Sequence, residues 1–140
     1  MKQFKSAYEQ LDGIVYVPRM LEKIRMHAKN ELPREYIPFL GNGFDKTCTA
    51  FLGIQYKELE QFILEGKSDD EAMAWIRENG RDLTDLEKMI FNEFMTKRGW
   101  KDMPPYSNNF AEYKEKFGLG HRDDIQTYFE FFEVDEGRKP

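Results

Sequence analysis

The run Gly13-Ile14-Val15-Tyr16-Val17-Pro18-Arg19-Met20-Leu21-Glu22-Lys23-Ile24-Arg25 decides how this chain is read. It joins a short apolar stretch to a proline suited to the first turn of a helix, where the missing N–H has no intrahelical acceptor to lose. From Pro18 onward Met20, Leu21, Ile24 and Ala28 recur on one face, with His27 at its edge. That spacing predicts an amphipathic helix to about residue 31. Arg19 and Lys23 lie along one flank of the apolar face and Arg25 along the other. Residues 18–30 hold four basic side chains and one acidic one, a local +3 in a chain whose formal net charge is −5, which leaves −8 for the rest. Upstream, Phe4, Ala7, Tyr8 and Leu11 are spaced as a short helix that Gly13 would stop, or the segment, being short, is an ordered arm. Residues 14–17 are β-prone, but four residues without an evident partner strand predict an extended connector.

Downstream, Pro33, Pro38, Gly41 and Gly43 mark residues 32–44 as a loop. Gly41-Asn42-Gly43 lacks the following lysine and preceding strand of a phosphate loop and reads as a turn. Asp45 is placed to cap a short helix with Cys48, Phe51 and Leu52 inward and Gly53 at its end. A helix over 55–65 follows, with Leu59, Phe62 and Ile63 inward and Gly66 as its stop. Ser68-Asp69-Asp70-Glu71 and Thr84-Asp85-Leu86-Glu87 are capping boxes, in which hydroxyl and carboxylate each satisfy a free N–H of the first turn. The first opens a helix burying Ala72, Trp75 and Ile76 and stopping near Gly80. The second opens one with Leu86, Met89, Ile90 and Phe94 as its inward face and Gly99 as its end. Residues 100–106, with Pro104-Pro105, are a stiff connector. Phe110, Tyr113 and Phe117 predict a helix ending at Gly118. Ile125, Tyr128, Phe129 and Phe132 have helical spacing, yet residues 128–134 also suit a strand, and both readings stand. Residues 137–140 are expected to fray. The fold expected is all-α: an irregular bundle of six or seven short helices forming a single domain over residues 1–140.

Composition narrows the function. With 40% hydrophobic and 34% charged residues the chain is globular in type, and 15% aromatics supply either a thick core or rings shown to a partner. A pI near 5.2 argues against nucleic acid, whose phosphates need a basic face. Cys48 is the sole cysteine, so neither an internal disulfide nor a CxxC motif exists, and one reduced thiol fits the cytoplasm. The start Met1-Lys2-Gln3-Phe4-Lys5 is unlike a signal peptide, and no apolar run is long enough to span a bilayer, so no membrane partner is expected.

Residues 13–25 resemble a small, uncharacterised, mainly bacterial family known as domain of unknown function 5069. The likeness continues through Asp45 with Phe51-Leu52-Gly53-Ile54, then Ser68-Asp69 with Trp75, then Asp123-Asp124-Ile125 and Asp135-Glu136-Gly137-Arg138. The loop at 32–43, with Pro33 and Pro38, departs from the pattern. The resemblance implies a compact, stand-alone cytosolic protein; it supplies no activity, cofactor or catalytic residue.

Candidate chemistry centres on the basic flank. Arg19, Lys23 and Arg25 could converge on a carboxylate or phosphate, arginine as a bidentate fork and lysine as a point charge. Tyr16, Tyr36 and Trp75 would then wall the pocket. The alternative is an internal ion-pair network, for which Asp123, Asp124, Asp135 and Glu136 are the evident acids. His27 has only Glu31 at four residues' spacing and His121 only Asp124 at three, one pair at each end where a metal site wants more ligands, so no metal or other cofactor is expected. Cys48 falls on an apolar spacing with Phe44, Phe51 and Leu52 and reads as a buried, inert thiol. Three functions are carried forward in order: a binding module for a small anionic ligand or acidic peptide end, a protein–protein interaction domain or homodimer, and an enzyme of unknown reaction.

Overall fold

A computed structural model describes residues 4–140. Among these residues the fold is helical, with seven α-helices and one very small sheet. The chain opens with a hairpin in which β1 (Gln10–Leu11) pairs antiparallel with β2 (Ile14–Val15), in the register Gln10↔Val15 and Leu11↔Ile14. Asp12 and Gly13 at the turn have φ of 53° and 74°. Two consecutive left-handed residues are what a tight two-residue hairpin requires, and Asp-Gly supplies them at low cost. This replaces the helix expected over 4–11 and gives residues 14 and 15 the partner strand they lacked. The local turn chemistry outweighs a weak helical spacing.

The helices are α1 (Val17–Ala28), α2 (Phe44–Leu52), α3 (Tyr56–Leu64), α4 (Asp69–Asn79), α5 (Asp85–Lys97), α6 (Asn109–Lys116) and α7 (Tyr128–Asp135). A 3-10 segment, Arg34–Phe39, lies within the expected loop. By compactness the chain divides into two units, one ending at Phe91 and the other formed by Asn92–Pro140.

In the first unit Ile14, Val17, Met20, Leu21, Leu52, Leu59 and Ile76 are fully buried. Pro18 sits in the first turn of α1, as its missing donor dictates. At the other end Asn30 takes a left-handed φ of 57°, and Glu31 N–H donates back to Met26 O at 2.8 Å. A satellite cluster of Phe4, Met26 and Leu32, with Tyr36 and Leu40 against it, covers that end. The first capping box forms as read: Glu71 N–H donates to Ser68 Oγ at 3.1 Å and Ser68 N–H to the Glu71 carboxylate at 3.0 Å. Trp75 is half-buried and stacked on Phe62, with ring centroids 5.5 Å apart.

The second capping box also forms, with Glu87 N–H donating to Thr84 Oγ1 at 3.2 Å and Thr84 N–H to Glu87 at 2.9 Å. The helix it opens is turned the other way from the expectation. Leu86, Met89, Ile90 and Phe94 are 60%, 55%, 53% and 47% exposed, whereas Phe91 and Met95 are buried. Phe91 stacks on Phe51 with centroids 4.8 Å apart, and the Arg81 guanidinium covers Phe51 at 4.7 Å. Spacing counts apolar positions; it does not count the rings waiting opposite them.

In the second unit Phe110, Ile125 and Phe131 form a core joined by Tyr113, Leu119, Tyr128, Phe132 and Val134. Lys114 Nζ donates to the carbonyls of Arg122 and Ile125 at 2.8 and 2.9 Å, which folds the loop after α6 back onto it. Thr127 Oγ1 accepts Glu130 N–H at 3.1 Å, capping α7 and settling residues 128–134 as helix. The expected fraying of the last residues is checked by Arg138. Its guanidinium donates to Glu133 at 3.0 Å and Glu136 at 2.6 Å, while its N–H reaches Glu133 O at 2.8 Å.

Candidate functional site

The basic residues of α1, on its two flanks, each send their heads to a different place. Lys23 is 4% exposed, and its Nζ donates to Asp45 Oδ1 at 2.8 Å and to the Tyr16 hydroxyl at 3.0 Å. Tyr16 O–H donates to the same Asp45 Oδ1 at 2.6 Å, and Gly41 N–H donates to Asp45 Oδ2 at 3.0 Å. Asp45 is 0% exposed, so a carboxylate, an ammonium and a phenol share one dry site. A buried charge persists only when paired and hydrogen-bonded, and both carboxylate oxygens here are.

Local structure explains how they meet. Tyr16 occupies the residue before α1 with φ of 75°, a backbone state an aromatic side chain adopts only under constraint. That turn sends its ring inward, two helical turns from Lys23. Asp45 lies inside the first turn of α2, whose capping position is Gly43. The expected cap role of Asp45 is thus not the one it plays: its side chain leaves the helix end for the interior. Gly41, at φ 74°, admits the Tyr56 ring so closely that an added Cβ would meet it at 3.0 Å. The Tyr56 hydroxyl is buried without a hydrogen-bond partner, and burial, then Asp45 and Glu60, push its ionisation up. Burial likewise raises Tyr16, with Asp45 adding to it. Cys48 is buried one turn further along α2. Desolvation, followed by Asp45, lifts its thiol far above the ordinary range, so no thiolate forms there near neutral pH.

Arg19 is 2% exposed and points elsewhere. Its guanidinium lies 4.8 Å over the Phe4 ring and donates to Lys5 O at 3.2 Å. Phe4 packs edge-on against Tyr36, with centroids 4.9 Å apart. Lys5 N–H is held by Glu22 at 2.6 Å, so α1 grips the N-terminal arm from two sides. Arg25 reaches α4 instead, donating to Asp69 at 2.6 Å and to Lys67 O at 3.1 Å. The six residues expected to form one pocket therefore occupy separate settings. Tyr16 and Lys23 meet at Asp45, Arg19 and Tyr36 meet at Phe4, Arg25 serves Asp69, and Trp75 lies on Phe62. The acids that engage Lys23 and Arg25 are Asp45 and Asp69, while Asp124 pairs with Arg122 and Glu136 with Arg138.

Among the described residues no group of three or more His, Cys, Asp or Glu side chains is arranged to hold a metal, and no helix is long and apolar enough to cross a membrane. His27 and His121 are both exposed. Among the described residues α5 carries a run of exposed apolar side chains. Leu86, Ile90 and Phe94 follow one another at four-residue steps along its outer side, with Met89 beside them. At the end of the row the Arg98 guanidinium lies 5.3 Å from the Phe94 ring centre and 4.9 Å from that of Tyr106, and pairs with Asp102 at 3.3 Å.

The family model described as domain of unknown function (DUF5069) matches residues 1–138. The chain belongs to that family. The matched range runs from the hairpin to the Arg138 clamp. No curated protein matches this DUF5069 chain. The name carries no activity, and the geometry has to supply the functional reading.

Sequence reasoning missed Asp45 as the partner of Lys23, and with it Gly41, whose N–H holds the other carboxylate oxygen, and Tyr56, whose ring packs on Gly41. Asp45 follows a glycine-rich turn and opens a helical spacing, which is also the pattern of a cap. The outer face of α5 was legible as an apolar stripe, but its direction was not.

Proposed function

We propose that this chain is a protein–protein interaction module whose docking surface is the outer face of α5. The observation that carries the reading is the inversion of that helix. Four large apolar side chains, each about half exposed, lie on successive turns of the helix, while Phe91 and Met95 are the buried ones. Contiguous apolar surface of this kind marks interaction sites, since water penalises leaving it bare. The capping box fixes the start of the helix, so the row is presented on a rigid rod, as helix-in-groove recognition uses. Placing a photo-crosslinking amino acid at Met89 tests it. In cells, protein adducts should form at Met89 and not at a control position such as Glu58, and Ile90→Glu should abolish them. Equal labelling at both positions would overturn the reading.

A small anion held by Arg19, Lys23 and Arg25 is the rival proposal. Its support is weaker because each head is already engaged by groups of this same chain. Thermal stabilisation by phosphate that disappears in Arg25→Gln would favour it over the α5 reading. For location we propose the cytoplasm, on the strength of one reduced, buried thiol.

A further inference from the structure

We infer that the occupant of the α5 face is a second copy of this chain, bound antiparallel about a two-fold axis near Ile90. The inference rests on the interaction reading above and names its partner. Three features of the helix point the same way. Leu86 and Phe94 stand four residues either side of Ile90, so a two-fold there sets each Leu86 against Phe94 of the second copy and Ile90 against itself. An isologous contact needs this self-complementarity, and a row symmetric about its own midpoint provides it.

Charge fixes the direction. Residues 81–87, leading into α5, contain Asp82, Asp85 and Glu87 with one base, Arg81. Residues 97–102, leaving it, contain Lys97, Arg98 and Lys101 with one acid, Asp102. An antiparallel partner lays its basic end beside the acidic end of the first copy, twice over, while the facing Glu87 and Glu93 are each already paired within their own chain, to Arg81 and Lys97; a parallel one would place like beside like. The helix dipoles favour the same order.

Area sets the scale. Leu86, Met89, Ile90 and Phe94 expose roughly 400 Å² together, and with Tyr106, Glu93 and Lys97 the face approaches roughly 600–700 Å² per copy. A standard-size interface buries about 800 Å² per partner, so this face lies at the small end of specific interfaces and the pair should be reversible.

Sedimentation of the full chain across about 5 to 300 µM reads this directly. A monomer of 16.7 kDa should pass to a species of twice that mass within that range. Ile90→Glu puts two carboxylates on the axis and should weaken the dimer at least ~100-fold. It should leave the melting temperature unchanged, because Ile90 is 53% exposed in the single chain. Ile90→Cys reads the geometry, since only a two-fold near residue 90 brings the two sulfurs within disulfide range. The native thiol is buried and does not compete. Under mild oxidation Ile90→Cys should cross-link at least ~10 times faster than Leu64→Cys, a position 54% exposed on α3. Equal cross-linking rates would overturn the arrangement. A monomer up to 300 µM would overturn the second copy as partner. If Met89 still photo-labels another protein, that monomer leaves the interaction reading standing; if it labels none, both fall together.

Discussion

Removing the Lys23 ammonium is the sharpest test of how this fold is held. In Lys23→Met the alkyl stem keeps its packing, but Asp45, 0% exposed, loses the donor 2.8 Å from Oδ1. Two neutral donors, the Tyr16 hydroxyl and Gly41 N–H, are left to hold a full negative charge. Breaking a buried pair from one side costs about 3–5 kcal/mol, because the surviving charge is stranded in low dielectric. Against a total stability of about 5–15 kcal/mol that is a large fraction. Replacing both partners, Lys23→Met with Asp45→Asn, removes the stranded charge and should recover much of the loss. The coupling in the double-mutant cycle should reach about 2 kcal/mol or more. Urea denaturation of the four proteins at pH 7, followed by far-UV circular dichroism, measures all the terms without any ligand. A Lys23→Met loss under about 1 kcal/mol, or strict additivity in the cycle, would refute the claim that this triad braces the fold.

Other contacts of the fold carry their own expected outcomes. Gly80→Ala should cost about 3 kcal/mol in urea denaturation, because a Cβ there would lie 2.2 Å from Leu52 O and 2.7 Å from the Ile54 side chain. Gly120→Ala should cost less, about 1 kcal/mol, since the flexible Glu115 carboxylate can swing away and the Glu115 Cα, at 3.2 Å, has to give by only a few tenths of an ångström. Cys48, its thiol raised by burial, should react with a disulfide reagent at pH 8 only as fast as the protein unfolds; rapid native-state labelling would contradict this. The Glu71 and Glu87 carboxyls are held below the ordinary glutamate range, first by the N–H groups of Ser68 and Thr84. A lowered value means their capping contribution is intact above the ordinary value and lost as pH falls through the lowered one. Amide resonances of Ser68 and Thr84 should therefore titrate with midpoints below about 4.3, and higher midpoints would argue against the caps.

Where the chain states its intentions locally, they were readable. The Ser68 and Thr84 boxes, Pro18, Gly53 and Gly118 mark helix ends through backbone chemistry that does not depend on what lies across the core. What needed a partner from elsewhere was not readable. Asp12-Gly13 is a strong turn signal, but residues 4–11 also carry helical spacing, and only pairing decides between them. The outward turn of α5 depends on Phe51, forty residues before Phe91. Arg19, Lys23 and Arg25 were rightly singled out as basic groups beside an apolar ridge. Their destinations, Lys5 O, Asp45 and Asp69, lie 14, 22 and 44 residues away, beyond the reach of any spacing rule.

The left-handed backbone at Tyr16 has a kinetic corollary. Tyr16 N–H is held locally by Glu9 O at 3.1 Å, but the acceptor of its phenol is 29 residues downstream. Closing a loop of that length spends chain entropy before any bond rewards it. The junction between hairpin and first helix should therefore lock late, after α2 has docked, and transition-state φ-values at Tyr16 should track those at Asp45 rather than those of its own neighbours. On a ribosome, the opening of this protein would wait for its forty-fifth residue before settling into shape.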